Sequence, residues 1–510
     1  MAYRSLIPLA VTGSLIAVAV ALRWQGRDLP SQLFRAELIR RNGFGLWNGQ
    51  WYGGHPTLDY SVIAPALGAV LGPVAVGAMS AVVSTVLFNH LAQRYFGQHA
   101  LFGSIWFAAG TVCNVIVGRI TFACGLAFAL AAVVALAHRA LPLAALLAAA
   151  ASLTSPVAGV GALLAVAAWT LSRRENRGRG IAVGLCGGLP LVAISVLFPT
   201  TGWFPYEPWA FGWDLAVALV IMVAIGPAVR TVALAAAAYS AAAAAVFLVA
   251  NPLGGNISRF GQFFAGPLLA CALSGRRRIV VLLLAVPLLA WQWVPVIDTI
   301  ASGSDDQSAQ ASYYKDVLTF LTGPARLEGR VEIPSTYSQW ESVRAALVVP
   351  LARGGERQLD IGFNPMFYDN AGFDAARYQA WLQDNGVEYV ALPDARLDDS
   401  SLVERALLLG GLPYLTPAYR DAHWTVWRFD GFAGLVTGPA RVIELATDGV
   451  TLSVDQPGDV TLRVRYSPHW TIDGTGCIES ENGWTRLSGL EQGVVHLTQS
   501  LGSGRSCPRQ

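Results

Sequence analysis

The chain has 510 residues, 54% hydrophobic and only 13% charged, with a mean hydropathy of +0.46 and a formal net charge of +2. Soluble globular proteins carry about 25% charged residues, so a single soluble domain is excluded. A net charge this small, with no basic stripe to track phosphates, excludes a nucleic-acid binder as well.

The charge is unevenly shared. From Met1 to Asp298 there are 18 Arg and 7 acids, and from Thr299 to Gln510 there are 17 basic and 26 acidic side chains. This division reads as a polytopic transmembrane domain over 1–298 followed by a water-soluble region. Crossing a bilayer takes about 17–25 apolar residues. Such runs recur near 5–22, 74–92, 99–117, 120–137, 140–153, 156–171, 181–198, 214–229, 231–250, 261–274 and 279–297, about 11 transmembrane helices in all. The first is read as a retained span, although Ala17-Val18-Ala19 mimics a signal-peptide cleavage site.

Between the first two spans lies a long outer loop, 23–60. Pro30 near a first turn and Gly43 after a last turn bracket a predicted helix. Its Leu33, Phe34, Leu38 and Ile39 lie broadly on one side, with Gln32, Arg35, Arg40 and Arg41 elsewhere, as suits a helix lying in the membrane interface. In the following LWNGQWYGGHPTLDY, Trp47, Trp51 and Tyr52 suit a headgroup belt, and Gly53 and Gly54 let backbone approach a ligand closely. Segment 61–73 is apolar but short and broken by Pro, so it reads as re-entrant or interfacial.

The positive-inside rule orients the spans. With a cytoplasmic N-terminus, Arg94, Arg139, Arg173, Arg174, Arg177, Arg179, Arg230 and the triplet Arg276, Arg277, Arg278 all fall on the cytoplasmic side. Every acid of this half except Glu175 falls outside: Asp28, Glu37, Asp59, Glu207, Asp214 and Asp298. An odd number of spans then exports the C-terminal region.

That region opens with a polar linker over 299–312. An extracytoplasmic α/β subdomain over 313–437 follows, with a helix in YQAWLQDNG, a stop at Gly386, a buried strand in VEYVALP and a second helix from Ser401 to Leu409. Over 438–510 the pattern changes to short alternating strands (VTLSV, VTLRVRY, GVVHLTQ), a β-sandwich subdomain. Cys477 and Cys507 are the only cysteines here and are expected to form a disulfide in an oxidising compartment. Cys113, Cys124, Cys186 and Cys271 lie in spans and read as buried small apolar residues. No C-x-x-C, H-E-x-x-H, G-x-S-x-G or Walker lysine motif is present, which leaves zinc hydrolysis and ATP hydrolysis without support.

The first loop opens with an acid, Asp28, carries its helix, and then shows Trp51, Gly53, Gly54 and Pro56 in a W-x-G-G-x-P element before many spans and an exported C-terminal region. This layout resembles bacterial GT-C-superfamily membrane glycosyltransferases. GRVEIP (329–334), ARGGERQLD (352–360) and WLQDNGVEYVALPD (381–394) are similar to blocks of an actinobacterial group of membrane proteins described as 6-pyruvoyl-tetrahydropterin synthase-related. The resemblance implies a GT-C-like fold in the cytoplasmic membrane. It also implies transfer of a sugar from a polyprenyl-phosphate donor to a cell-envelope glycan or lipid acceptor outside. Asp28 matches the family position of the catalytic base; its alternative role is to cap the helix at Pro30.

The leaving phosphate needs cations near the outer leaflet. Arg119 and Arg259, the latter beside Asn256, are candidates, since a membrane-boundary arginine needs a partner and phosphate is a bidentate one. The second acid of many family members has no obvious counterpart; Asp59 and His55 are the nearest substitutes. No cofactor is firmly implied, although Asp28, His55 and Asp59 together are a candidate set of divalent-cation ligands. Glu207, in an aromatic loop with Trp203 and Trp209, is a candidate to orient a sugar, or part of an interfacial anchor. Trp470 and Trp484 are candidate glycan platforms or core residues. Two other classes remain open: a transporter or flippase of a lipid-linked or polar solute, and a non-catalytic envelope scaffold. The spans offer a coupled transporter no Asp, Glu or Lys well inside them.

Overall fold

A computed structural model describes residues 2–199, 202–273, 278–303, 306–369, 372–502 and 506–507. The chain divides into two compact units. One comprises Met1–Arg40 with Asp59–Ser304, and the other Arg41–Leu58 with Asp305–Gln510. The N-terminal region is mostly helical with several apolar helices, and the C-terminal region is built on β-sheets.

In the helical unit every one of the eleven apolar runs forms a helix. Among the described residues, six stretches are long and apolar enough to cross a membrane: Pro73–Val117, Ile120–Ala137, Arg174–Leu197, Pro208–Ile225, Arg230–Leu248 and Leu282–Gly303. The first of these folds back on itself as two packed helices, Pro73–Phe96 and Ala100–Val117. Leu6–Ala21, Leu141–Thr154 and Pro156–Ser172 are shorter apolar helices. Single residues punctuate the bundle. Ser155 ends Leu141–Thr154 and caps the next helix, where Pro156 takes the first position.

Three expectations change here. The span expected at 214–229 is the helix Pro208–Ile225, because Pro208 starts it and Gly226 follows its end. Asp214 therefore stands two turns inside a helix rather than in a loop, and it is fully buried. The helix Arg278–Gly303 overruns the expected linker at one end and Ala311–Thr322 at the other, leaving only a short turn at Gln307–Ala309 between them among the described residues. Ser274 of the tenth expected span, Arg276 and Arg277 of the basic triplet and linker residues 304–305 lie outside the described residues. Of the span cysteines, Cys113, Cys124 and Cys271 are buried, but Cys186 is exposed.

The C-terminal unit contains fourteen strands among its described residues. Two come from the first loop, β1 (Trp47–Asn48) and β2 (His55–Pro56), paired with each other. A mixed sheet follows: β3 (Arg330–Glu332), β4 (Val387–Pro393), β5 (Leu415–Arg420) and β6 (Trp424–Phe429), in the order β3-β4-β6-β5. Only β3 and β4 run parallel. The helices Ala375–Asp384 and Leu402–Gly410 accompany it, and β4 is buried at every residue. Then come β7 (Val436–Thr437), β8 (Ala440–Leu445), β9 (Gly449–Val454), β10 (Gly458–Arg465), β11 (Trp470–Asp473), β12 (Cys477–Glu481), β13 (Trp484–Leu490) and β14 (Gly493–Gln499). They form two antiparallel sheets, β12-β13-β10-β7 and β11-β14-β9-β8, around a shared core of Leu452, Leu462, Trp470, Leu487 and Leu497. The structure joins Cys477 and Cys507 in a disulfide.

The first-loop segment belongs to this unit, and its aromatic residues are core rather than headgroup belt. Trp47 meets Trp470 edge-on at 5.1 Å, and Trp51 and Tyr52 are fully enclosed. Gly53 and Gly54 have φ of +78° and +113°, and an added Cβ would stand 2.8 Å from the Trp484 ring and 2.2 Å from the Trp47 ring. The close approach they permit is to tryptophan, not to a ligand. Trp470 and Trp484 are buried core residues themselves.

Under the mixed sheet lies a buried network of charge. Arg353 binds Asp360 and also neighbours Glu332 on β3 and Glu404 on the helix Leu402–Gly410. Glu332 and Glu404 are both pushed up from the usual carboxylate range, mainly by burial. Nearby Glu341 is pushed up to about 7 by burial, which its hydrogen bonds from Thr336 only partly offset. A carboxyl with a raised folded-state pKa makes the folded state hold protons that the unfolded chain has released. The stability it contributes is complete below the ordinary Glu value of 4.5 and is lost as pH rises through about 7. Urea unfolding of the C-terminal unit, read by pulse proteolysis of the full-length protein in nanodiscs, is expected to need less urea at pH 7.5 than at pH 5,. Glu341→Gln should flatten that slope, and a midpoint that rises with pH would contradict it.

Candidate functional site

The helical unit gathers charged side chains where the chain leaves the helix Ala2–Ala21. The amide of Gly26 donates to Ile116 O (2.8 Å) and that of Asp28 to Val117 O (3.2 Å), which lays the start of the first loop across the end of Ala100–Val117. Gly118 makes this crossing possible. Its φ is +90°, and an added Cβ would stand 2.3 Å from Leu29 N. The next residue, Arg119, precedes Ile120–Ala137 and donates through Nε to Asp28 Oδ2 at 3.3 Å. Among the described residues, no acceptor is seen for its two Nη groups.

Arg259 opens the helix Arg259–Leu273 and donates through Nη2 to Asn256 Oδ1 at 2.7 Å. Its guanidinium lies 5.2 Å from the Phe122 ring centre and within electrostatic range of Arg119, Asp28 and Tyr60. Tyr60 completes the group. The Arg35 guanidinium covers its ring at 3.9 Å, and its hydroxyl is 3.4 Å from Gln32 Nε2 and 3.5 Å from Thr121 Oγ1. Among the described residues, Arg259 has no carboxylate at ion-pair distance, while Arg119 is paired with Asp28. An anion placed between Arg119 and Arg259 would relieve their repulsion and accept bidentate hydrogen bonds.

The helix expected at Pro30 runs from Leu29 to Asn42, and Gly43 follows at φ +78°. It is more enclosed than an interfacial helix, with Gln32, Phe34, Arg35 and Leu38 all buried.

The remaining expected residues separate. His55 is buried in the C-terminal unit, its Nδ1 donating to Pro56 O (2.7 Å) and its Nε2 accepting from Asn48 Nδ2 (3.1 Å), so both ring nitrogens serve the loop's own fold. This removes His55 from the substrate-binding set. Asp59 is half-buried in the helical unit. Glu207 is exposed just before Pro208, with Trp203 and Trp209 also exposed. The divalent-cation set of Asp28, His55 and Asp59 is not assembled: among the described residues no three His, Cys, Asp or Glu side chains are grouped to hold a metal.

Two features escaped sequence reasoning. One is Tyr60, which carried no signal beyond its place at the loop's end. The other is Asp214, whose carboxylate accepts hydrogen bonds from Tyr206, Tyr239 and Ser258. A lone acid six residues after Pro208 is a signal for a buried polar site once the helix start is set correctly.

An apolar cavity of about 290 Å³ lies in the same unit, lined by Phe88, Leu126, Leu130, Phe260, Phe264 and Leu268 among others. Phe260 follows Arg259 in sequence and contacts Phe122 at 6.3 Å, while Leu126 stands one turn beyond Phe122. Comparison with protein-family models and with curated proteins finds no match to this chain.

Proposed function

We propose that this protein is a membrane glycosyltransferase that moves a sugar from a polyprenyl-phosphate donor to a cell-envelope glycan or lipid on the outer face of the cytoplasmic membrane. In this reading the chain crosses the membrane about eleven times with its N-terminus inside, and the C-terminal unit is extracytoplasmic. One observation carries the proposal: Asp28 pairs with Arg119, Arg259 lies within electrostatic range of both, and its neighbour Phe260 also lines an apolar cavity. A phosphate monoester on an isoprenoid chain has that division of chemistry.

In the reaction the Asp28 carboxylate takes the proton of the acceptor hydroxyl, whose oxygen bonds to the anomeric carbon. The bond from that carbon to the phosphate oxygen breaks, and the polyprenyl phosphate leaves with the electron pair. Arg119 and Arg259 hold the departing dianion, and the repulsion between their guanidinium groups favours its binding. The apolar cavity takes part of the isoprenoid tail.

Full-length protein in nanodiscs, supplied with short-chain polyprenyl-phosphate sugars, tests this. Asp28→Asn should reduce transfer by about a hundredfold, the scale of a lost general base, while donor affinity is retained. Full activity in that variant removes Asp28 as the base. A second reading draws on Asp214, since an acid buried within membrane helices is a common mark of proton-coupled transport. Solute flux without sugar transfer would favour that carrier.

A further inference from the structure

Asp214 is fully buried, yet its carboxylate is well supplied with donors from three separate elements. Tyr206, from the segment before Pro208, donates to Oδ2 at 2.5 Å. Ser258, the last residue of the turn Gly254–Ser258, donates to the same oxygen at 2.5 Å, and Tyr239 of Arg230–Leu248 donates to Oδ1 at 2.6 Å. Three hydroxyl donors satisfy a buried carboxylate that would otherwise be costly in a bundle of apolar helices.

The turn it holds is the one that presents the anion site. Ser258 immediately precedes Arg259, and Asn256, two residues earlier, accepts from Arg259 Nη2. The rest of the turn is equally constrained. Asn251 Oδ1 accepts from the amides of Leu253 (3.0 Å) and Gly254 (3.1 Å), and the Gly255 amide donates to Pro205 O at 3.0 Å. Gly254 has φ +45°, and an added Cβ would stand 1.9 Å from Phe204 O. After the turn, Gly261 lies against the Trp291 ring, where a Cβ would come within 2.4 Å. Such a carboxylate is placed to orient a neighbour rather than to meet substrate.

We infer that Asp214 is a positioning residue: through Ser258 it locks the Gly254–Ser258 turn and so fixes Asn256 and Arg259 for a phosphate monoester on an apolar chain. The inference rests on the phosphate reading of Arg119 and Arg259. It assigns Asp214 no proton-transfer role of its own.

The test uses the full-length protein in phosphatidylcholine nanodiscs with farnesyl phosphate as the probe, and inorganic phosphate in a parallel titration to separate a free anion from a lipid one. Ser258→Ala removes a single link and leaves Asp214 with two donors, so it is the variant expected to fold normally. It should weaken farnesyl phosphate binding about tenfold, the scale of a lost hydrogen bond to a charged acceptor, and Asp214→Asn should do the same or less. Amide hydrogen exchange over 254–259 should quicken in both variants without ligand. Added to Arg259→Ala, Ser258→Ala should cost nothing further, because the two act through one guanidinium. Unchanged exchange, or losses that add to those of Arg259→Ala, would overturn the positioning role. If the wild type and Arg259→Ala bind farnesyl phosphate equally poorly, the phosphate reading fails and the inference falls with it, whatever the exchange data show at the turn. Equal affinity for inorganic phosphate would overturn the apolar-chain part of the assignment.

Discussion

Arg353→Met is expected to destabilise the C-terminal unit by about 3–5 kcal/mol, the range for removing one partner of a buried ion pair. Arg353 is 2% exposed. Its Nε and Nη2 donate to Asp360 at 3.1 and 2.6 Å, and its Nη groups reach Ser400 and Ser401, each at 3.2 Å. Glu404 and Glu332 stand 3.7 and 4.0 Å from Nη1, and the Phe367 ring centre lies 4.1 Å from the guanidinium carbon. Burial alone would lower the Arg353 pKa, but Asp360 and the surrounding groups hold it well above the ordinary value. Methionine would fill much of the volume and leave Asp360, Glu332 and Glu404 without the guanidinium that pairs with them. Lysine should rescue little, because a point charge cannot reproduce a planar fork between Asp360 and two serines. Arg441→Met is the control, since the Arg441–Asp455 pair is 70% and 51% exposed and worth about 0–1 kcal/mol. Urea midpoints of the two variants, converted with a common slope, decide it: a loss below about 1 kcal/mol for Arg353→Met would mean that the network relaxes by taking up protons. That relaxation has a signature, because lowering the pH protonates the stranded carboxyls and should narrow the deficit.

The same network shows why parts of the chain were legible and others were not. The helices of the N-terminal half announce themselves locally, since an apolar run of bilayer length has few other fates. Helix ends were harder: Pro208 is an N1 signal, but the aromatic residues around it read as loop, and the error hid Asp214. The strand Val387–Pro393 and its Gly386 stop were legible for a similar local reason, with Gly386 at φ +60° where other residues are strained. Cys477 and Cys507 were legible by elimination. Arg353, Glu332 and Glu404 were not, because their meaning lies in contacts between segments that pattern and spacing do not link. GRVEIP and ARGGERQLD thus stood out in the sequence as blocks without a stated role. In the structure they supply Glu332, Arg353 and Asp360 to a buried scaffold rather than to a binding surface.

The candidate site followed the same division. Asp28 and Arg119 were each legible as boundary charges, one after the first span and one between two helices. Their pairing depends on Gly118, whose backbone lets Leu29 pass close by, and a glycine after an apolar run carries no such message alone. His55 misled for the opposite reason. A histidine beside two glycines and an aspartate looks like a ligand, but its imidazole completes hydrogen bonds within the loop.

Trp51→Ala should cost about 3–5 kcal/mol, the range for truncating a fully buried aromatic side chain, and the loss should fall on the C-terminal unit. Trp51 is enclosed, and its Nε1 donates to Ser342 O at 3.1 Å. Its ring packs so closely on Gly354 that a Cβ there would stand 2.4 Å from Trp51 Cγ. The neighbouring backbone ties the same segment to two subdomains at once. Leu351 N donates to Gln50 O and Arg465 N to Gly53 O, each at 2.8 Å, and the Tyr52 hydroxyl exchanges hydrogen bonds with the backbone of Glu356 at 2.9 Å. The W-x-G-G-x-P element is therefore a structural key, with tryptophan as its shaft and glycines where other rings pass. Had it been a headgroup anchor or a sugar platform, Trp51→Ala would weaken membrane or ligand association and leave unfolding nearly unchanged. As a key, it should lower the urea midpoint of the C-terminal unit far more than it changes the affinity for farnesyl phosphate, since its hydrogen bond to Ser342 and its packing on Gly354 lie within that unit. Gly354→Ala should reproduce the stability loss without altering any first-loop residue, because it pushes on the same ring from the other side.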